Sequence, residues 1–505
     1  MNNSYWVDTS KTTNYPNLDK NIEVDVCVVG AGIVGASTAY FLSNKSNLRI
    51  AIIDKDKVCM GVSAHTTAKI ASQHGLFYKY LIDEFGKDFA KKYLFSNQEA
   101  IEKIKEIVNK EKIDCDFERQ DAYVFAASDE EAKKIKDEVN AVNSLGFNAE
   151  YLEKINLPIN NIKGAIKFPN QAQFNSRKYV LSLLNILEKR NVKIFENSKV
   201  EKIENGEKNI IYANKHKIKA KYVVLATHFP ILNFPGLHFI KMHQDKSYII
   251  GVETKDKLFD GMYINSKDPI ISFRTAIYKD NQRLLLVSGS DHKTGDNSIK
   301  LEDNYKNLEN YIRGVYKDIN IKYRWSTEDC VSLDKIPYIG EFSKFMSNIF
   351  IATGFKKWGM TTSHVAAEII SDKILGKNNS YENIYNSTRL KPIKNKKELY
   401  NNLKQTTYSL IINRFKKSKT TIGEIKNGDG GIVKYNGKKI GIYKDEKGKI
   451  YAVKPYCKHL GCELSWNNLE KTWDCPCHGS RYTYEGKIIM EPTRKELEKE
   501  NIDGA

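Results

Sequence analysis

The chain has 505 residues, room for two to four domains of ordinary size and too much for a single small binding module. Hydrophobic residues make up 41% and charged residues 28%, ordinary globular usage that excludes a disordered chain. The formal net charge is +18, but the lysines alternate with acids instead of forming one basic block, so the charge reads as a solvated surface and no nucleic-acid partner is expected.

The opening segment, Met1 to Asp8, has the pattern of neither a signal nor a transit peptide. No stretch approaches the roughly 18 uninterrupted apolar residues of a membrane helix. A cytoplasmic protein without an integral membrane segment is expected. Val24 to Val29 is a β-branched, buried-type strand that runs into Gly30-Ala31-Gly32-Ile33-Val34-Gly35, after which Ala36 to Leu42 continues as a small-residue helix. A second strand, Arg49 to Ile53, ends at Asp54 and Lys55. This βαβ unit has the form of a dinucleotide site: Gly30, Gly32 and Gly35 allow close backbone approach, the helix N-terminus faces the pyrophosphate, and Asp54 accepts from a ribose hydroxyl. Asp83 to Glu111 and Glu130 to Leu145 have helical apolar spacing, while Ser247 to Val252 and Arg283 to Val287 alternate as strands of a second sheet.

Several later segments identify the likeness more closely. Gly61-Val62-Ser63-Ala64-His65-Thr66-Thr67-Ala68-Lys69 resembles the loop beneath the flavin in the D-amino-acid-oxidase/glycine-oxidase superfamily. That resemblance implies cofactor contacts from His65, Thr66, Thr67 and Lys69, and leaves open whether His65 is joined covalently to the flavin. Lys193 to Val200 resembles the strand entering the adenine site, and Tyr222 to Thr227 resembles the superfamily's A-T-G strand, with His228 in place of the glycine. Val200, Ala226 and Thr227 are the implied contacts. Ile336-Pro337-Tyr338-Ile339-Gly340 and Ala352 to Thr361 resemble its C-terminal flavin signature, which adds Gly354, Gly359, Met360 and Thr361. The glycines there permit backbone approach to a flat ring. A helix beginning near Thr361 would stabilise negative charge developing on the flavin as a hydride reaches N5. Arg274, in Ser272-Phe273-Arg274, sits where relatives with amino-acid substrates place a carboxylate-binding arginine, and Tyr248 and Trp358 are candidates to wall the same site.

From Asn378 to Lys419 the chain is rich in Asn, Lys and Ser and reads as a linker; beyond it short strands alternate with glycines. Cys457-Lys458-His459-Leu460-Gly461-Cys462 and Cys475-Pro476-Cys477-His478-Gly479-Ser480 each offer one thiolate and one imidazole. Two Cys and two His also make a zinc set, although zinc fingers usually pair like with like. The two boxes resemble those of the Rieske 2Fe-2S family. The resemblance implies Cys457, His459, Cys475 and His478 as ligands, a disulfide or two free thiols at Cys462 and Cys477, and hydroxyls of Ser480 and Tyr482 donating to cluster sulfurs and raising the potential.

The whole chain thus resembles a bacterial FAD-dependent oxidoreductase of that superfamily fused to a C-terminal Rieske domain. The implied fold is an α/β FAD-binding Rossmann-like domain (about 20–80, 165–235 and 330–377) with an inserted α+β substrate domain (about 81–164 and 236–329). A linker (378–419) and an all-β Rieske domain (420–505) follow. The implied function is oxidation of a small-molecule amine or amino acid, with hydride transfer to FAD N5 and single electrons passing through the cluster to an external acceptor. The alternative is a redox-sensing or binding protein without steady turnover. The linker is expected to let the cluster domain present its histidine edge toward the flavin and, at another moment or from another face, toward the acceptor, and a chain ending near Lys417 is expected still to bind FAD because the flavin motifs all lie before residue 376.

Overall fold

The computed structural model describes residues 4–279, 282–296, 299–389 and 421–502. The β-branched run Ile22–Val29 is the centre of an eight-stranded sheet, flanked in parallel by Ile50–Ile53 on one side and His216–Leu225 on the other. Lys193–Phe195 closes one edge. Met346–Thr353 and the antiparallel Tyr338–Ser343 lie at the other. The expected strand from Lys193 to Val200 is interrupted: Lys193–Phe195 ends before Val200–Glu204 begins, and the latter pairs elsewhere. The crossover helix Ile33–Lys45 starts at Gly32 and packs its small residues on the helix Gly359–Ile374. Gly30 has φ +107°, and a Cβ on it would lie 2.5 Å from the Ala226 carbonyl oxygen. A Cβ on Gly35 would run into the Gly30 carbonyl, so these two glycines let strand, turn and helix close on each other.

The second sheet has nine strands, in the order Ile319–Ser332, Met242–Thr254, Arg283–Lys293, Ile271–Ile277, Met262–Asn265, Glu118–Ala126, Gly164–Gln173 and Lys69–Ile70, with Glu150–Leu152 paired to Gly164–Gln173. Gly164–Gln173 therefore joins the second sheet, whereas the sequence division assigns most of it to the flavin part. The helix expected from Asp83 to Glu111 is broken at Gly86 (φ +90°) into Tyr78–Phe85 and Lys87–Lys110. The longer piece packs on Gly359–Ile374 in the flavin layer, not on the substrate sheet. The expected linker also begins later than residue 378. Tyr385 is buried, and Arg389 ion-pairs with Asp334 at 2.7 Å, so the chain stays on the oxidoreductase body through residue 389. The rest of the expected linker, 390–419, lies outside the described residues.

The C-terminal domain stacks two small antiparallel sheets, Asp429–Tyr435/Lys438–Lys444/Ile450–Val453 and Ser465–Asn467/Thr472–Asp474/Arg481–Thr483/Ile488–Met490. It is seated on the oxidoreductase half through buried charge. Lys246 (0% exposed) and Arg481 (2%) share Glu328, at 3.1 and 2.5 Å, and both also reach Glu470, while Arg481 Nε holds Asp474 at 3.0 Å. Lys246 and Glu328 belong to the second sheet and the other three to the C-terminal domain. Around this network the surfaces fit closely: a Cβ on Gly295 would lie 2.6 Å from the Pro476 nitrogen, and one on Gly479 2.6 Å from the Gln244 side chain. Removing one member of such a network leaves an uncompensated buried charge, at a cost of about 3–5 kcal/mol. Lys246→Met should therefore lower thermal stability at pH 8, and less so at pH 5, where the stranded carboxylates can take up protons. An unchanged melting temperature at both pH values would mean that the network does not hold the domains together.

Candidate cofactor cavity and cluster site

A large cavity opens at the carboxyl ends of the parallel strands, where the first sheet meets the second and the C-terminal domain. Of the residues expected to hold the cofactor, Gly30, Gly32, Asp54, Lys55, His65, Thr66, Val200, Ala226, Thr227, Gly359 and Met360 line it. The helix Ile33–Lys45 points its N-terminus into this space, and Ser63 Oγ accepts from Ile33 N at 3.0 Å, tying the loop beneath the flavin to the fingerprint. His65 Nδ1 lies 2.9 Å from the Gly61 carbonyl and donates to it; burial pushes the imidazole pKa down. Asp54 Oδ2 accepts from Ala31 N at 2.8 Å and Oδ1 from Asp56 N at 3.1 Å. Burial nonetheless raises this carboxyl to about 6, against the pull of those two N–H groups.

The remaining expected residues lie elsewhere. Arg274 is buried. Its Nη1 donates to the carbonyls of Thr67, Ala68 and Phe174 at 3.0, 2.8 and 3.1 Å, its Nε donates to Thr275 O, and the guanidinium lies 5.3 Å from the Trp6 ring centre. It braces the loop beneath the cavity and is not placed to grip a carboxylate inside it. Tyr248 is on the far face of the second sheet, in the apolar cluster with Phe273 and Leu308, its hydroxyl 3.1 Å from His292 Nε2. Trp358 stacks on His74 at 4.8 Å and does not line the cavity. Lys69 is turned into the second sheet, its ammonium on Tyr263 O at 2.8 Å and on the Ser272 hydroxyl, and burial lowers its pKa to about 7. Thr361 Oγ1 donates to Ala71 O and Asn97 Oδ1. Thr67, Gly35 and Gly354 are likewise outside the lining; Thr67 contributes its carbonyl to Arg274, and Gly354 (φ +76°) forms the turn before the helix.

Other residues replace them. Ser326, Thr327, Glu328 and Asp329 enter from the second sheet, and Asp329 is raised to about 8 by burial, with Lys357 opposing. His228 Nε2 and Thr327 Oγ1 line the cavity as buried polar atoms without a protein partner among the described residues, as expected of a site built for a polar ligand. The glycine cradle at Gly30 and Gly32, the helix N-terminus and Asp54 fit a dinucleotide in that space.

In the C-terminal domain the two boxes come together as facing loops. Cys457 and Cys475 are hydrogen-bonded through their sulfurs, and the rings of His459 and His478 are 5.0 Å apart. Cys462 and Cys477 form a disulfide that joins the loops. This leaves two thiols and two imidazoles on one small volume, a donor set that fits a 2Fe-2S centre with two His on one iron. The Tyr482 hydroxyl lies 3.6 Å from Cys457 Sγ and 2.9 Å from Lys458 N, and Ser480 reaches the same sulfur. Hydrogen bonds from Cys475, and also from Ser480 and Tyr482, favour the thiolate of Cys457. The imidazole edge does not face open solvent. His459 Nε2 is 3.2 Å from Asn233 Oδ1, and both imidazoles meet Phe239 edge-on at 5.3 and 5.5 Å. Gln244 Nε2 donates to His478 O at 3.0 Å. Asn233, Phe239 and Gln244 carry no sequence motif.

A dinucleotide cavity of this form beside a mixed Cys/His cluster site is that of a dinucleotide-binding redox protein that carries its own iron–sulfur domain. The chain belongs to the FAD dependent oxidoreductase (DAO) family, matched over residues 25–373, and residues 419–500 match the Rieske [2Fe-2S] domain; its cofactors are FAD and a 2Fe-2S cluster. Over 503 residues it is 36% identical to a Bacillus subtilis (strain 168) protein named as a Rieske 2Fe-2S iron-sulfur protein, YhfW, covering 99% of this chain and 98% of that one. It is 20% identical to the gamma-glutamylputrescine oxidoreductase of Escherichia coli (strain K12), over 74% of this chain and 88% of that protein. The glycine oxidase of Geobacillus kaustophilus superposes on 73% of this chain and 99% of its own with a TM-score of 0.62 at 18% identity. No helix among the described residues is long and apolar enough to cross a membrane.

Asp54 offers a direct test of the nucleotide site. An ionised carboxylate accepts from ribose hydroxyls and a protonated one accepts less well, so FAD affinity should fall as pH drops through about 6 and level off at the affinity of the protonated form. Asp54→Asn should bind more weakly at pH 8 and lose that pH dependence. Equal affinity of wild type and variant from pH 5 to 8 would remove Asp54 from the site.

Proposed function

We propose that the protein oxidises a C–H bond next to nitrogen in a small amine or amino acid, and that the electrons leave through the Rieske cluster to an external acceptor. FAD supplies a two-electron hydride acceptor and the cluster a one-electron carrier. The observation that carries this reading is the direction of the cluster loops: the imidazole edge of His459 and His478 is turned onto Phe239 and Asn233 of the oxidoreductase half. The DAO family and the names of the relatives support the substrate class.

The chain's own residues have definable roles. The helix Gly359–Ile374 begins at the cavity wall, and its positive end favours negative charge gathering there during reduction. His65, fixed by Gly61 O, and Thr66 form the loop under the cavity, braced from below by Arg274. Asn233 Oδ1 accepts a hydrogen bond from His459 Nε2 and so sets the orientation of that imidazole. Tyr482 and Ser480, directed at Cys457, favour the reduced cluster.

Anaerobic mixing with a panel of amines and amino acids should bleach the flavin with at least one of them. The full-length Cys457→Ser variant should bleach equally fast but lose turnover with one-electron acceptors by about a hundredfold or more. If no panel member reduces the flavin, or if the variant turns over at the wild-type rate, the reading fails. The first of those results would favour a redox sensor.

A further inference from the structure

The nucleotide cavity is walled by both halves of the chain. The fingerprint glycines and the N-terminus of Ile33–Lys45 take the pyrophosphate region. Asp54 and Lys55 at the end of one strand, and Ser198 to Val200 across from them, bound the adenosine end. What crosses it is the end of the last strand of the C-terminal domain and the turn that follows, residues 489–494.

The attachment is specific and two-sided. On one wall, Lys55 Nζ donates to Glu491 Oε1 at 2.7 Å and to Ile489 O at 3.3 Å. On the other, Lys199 Nζ donates to Arg494 O at 3.2 Å, and Arg494 Nη2 donates to Val200 O at 2.7 Å and to Glu201 O. Gln244 Nε2 fixes the middle of the turn through Glu491 O at 3.0 Å. Ile489, Met490, Glu491, Thr493 and Arg494 all line the cavity. The segment therefore bridges the two walls between which an adenosine would lie, with Ile489 and Met490 supplying apolar surface and Arg494 a cation. Thr493, in the same turn, receives the Tyr482 hydroxyl at 2.6 Å and donates its N–H to Ser480 Oγ at 3.1 Å. The turn thus joins Ser480, whose hydroxyl reaches the Cys457 sulfur, to the rim of the flavin site.

We propose that residues 489–494 of the Rieske domain are the roof of the adenosine half of the FAD site, so that FAD leaves only when the cluster domain lifts. FAD retention is then a property of both domains. This goes beyond the catalytic reading and does not depend on which substrate is oxidised.

The test uses the full-length, cofactor-loaded chain. In the double variant Glu491→Ala/Arg494→Ala, FAD release followed by the recovery of free-flavin fluorescence on dilution should be faster than wild type by about tenfold or more, while the EPR signal of the reduced cluster shows that the C-terminal domain is still folded. Independently, amide hydrogen exchange in wild-type protein should show protection of 489–494 that is lost when FAD is stripped, with the strand Lys438–Lys444 unchanged. Release within twofold of wild type with an intact cluster signal would overturn the proposal. So would exchange at 489–494 that is the same with and without FAD, and that measurement decides if the variant does not assemble its cluster.

Discussion

The arrangement depends on one buried charge network, in which Lys246 and Arg481 are shared among Glu328, Glu470 and Asp474. Each group would cost several kcal/mol to bury alone. Burial works against the charged form of Glu470, but the two cations prevail and hold its carboxyl well below the usual range. Each half keeps pairs of its own, Lys246 with Glu328 and Arg481 with Glu470 and Asp474, but Lys246–Glu470 and Arg481–Glu328 are made only when the domains are together. Separation would expose five charged groups at once. Docking is therefore specified by partner and by register, and the closely fitted glycines at 295 and 479 admit little slip.

From that constraint follows the relation between the redox sites. With the C-terminal domain held in place, its cluster loops face Asn233 and Phe239 of the oxidoreductase half and the end of its last strand lines the cavity. Rotating the domain to offer the histidine edge to another protein would break Asn233–His459, Gln244–His478 and the charge network together. The picture of a domain swinging on a tether between two stations is thus disfavoured by buried charge, whatever the properties of the connecting segment. A fixed relay, with electrons entering through the histidine edge and leaving from another face of the domain, needs no such rupture.

The parts of this account legible in the sequence are those whose chemistry is local. Gly30-Ala31-Gly32 and Asp54 are adjacent through one βαβ unit, and the Cys/His boxes each span only a few residues, so spacing alone carries the geometry. Arg274, Tyr248 and Trp358 failed as site residues for a different reason. Strand alternation says that neighbours face opposite sides of a sheet but not which side meets the cavity, and an arginine can satisfy backbone carbonyls as readily as a ligand. The division at Gly86 was signalled only by a glycine within a helical pattern. The contacts that seat the C-terminal domain join residues more than a hundred positions apart, such as Glu328 with Arg481, and no local pattern distinguishes these charges from the many solvated ones on a lysine-rich surface.

The central claim is that the flavin and the cluster form one fixed redox unit within a single chain. It is tested most directly by stopped-flow reduction of the flavin while cluster reduction is followed at its own wavelength, over a wide range of protein concentration. The account predicts a first-order cluster reduction whose rate constant does not change with protein concentration. A rate that rises in proportion to protein concentration, or a flavin that is fully reduced while the cluster stays oxidised, would contradict it.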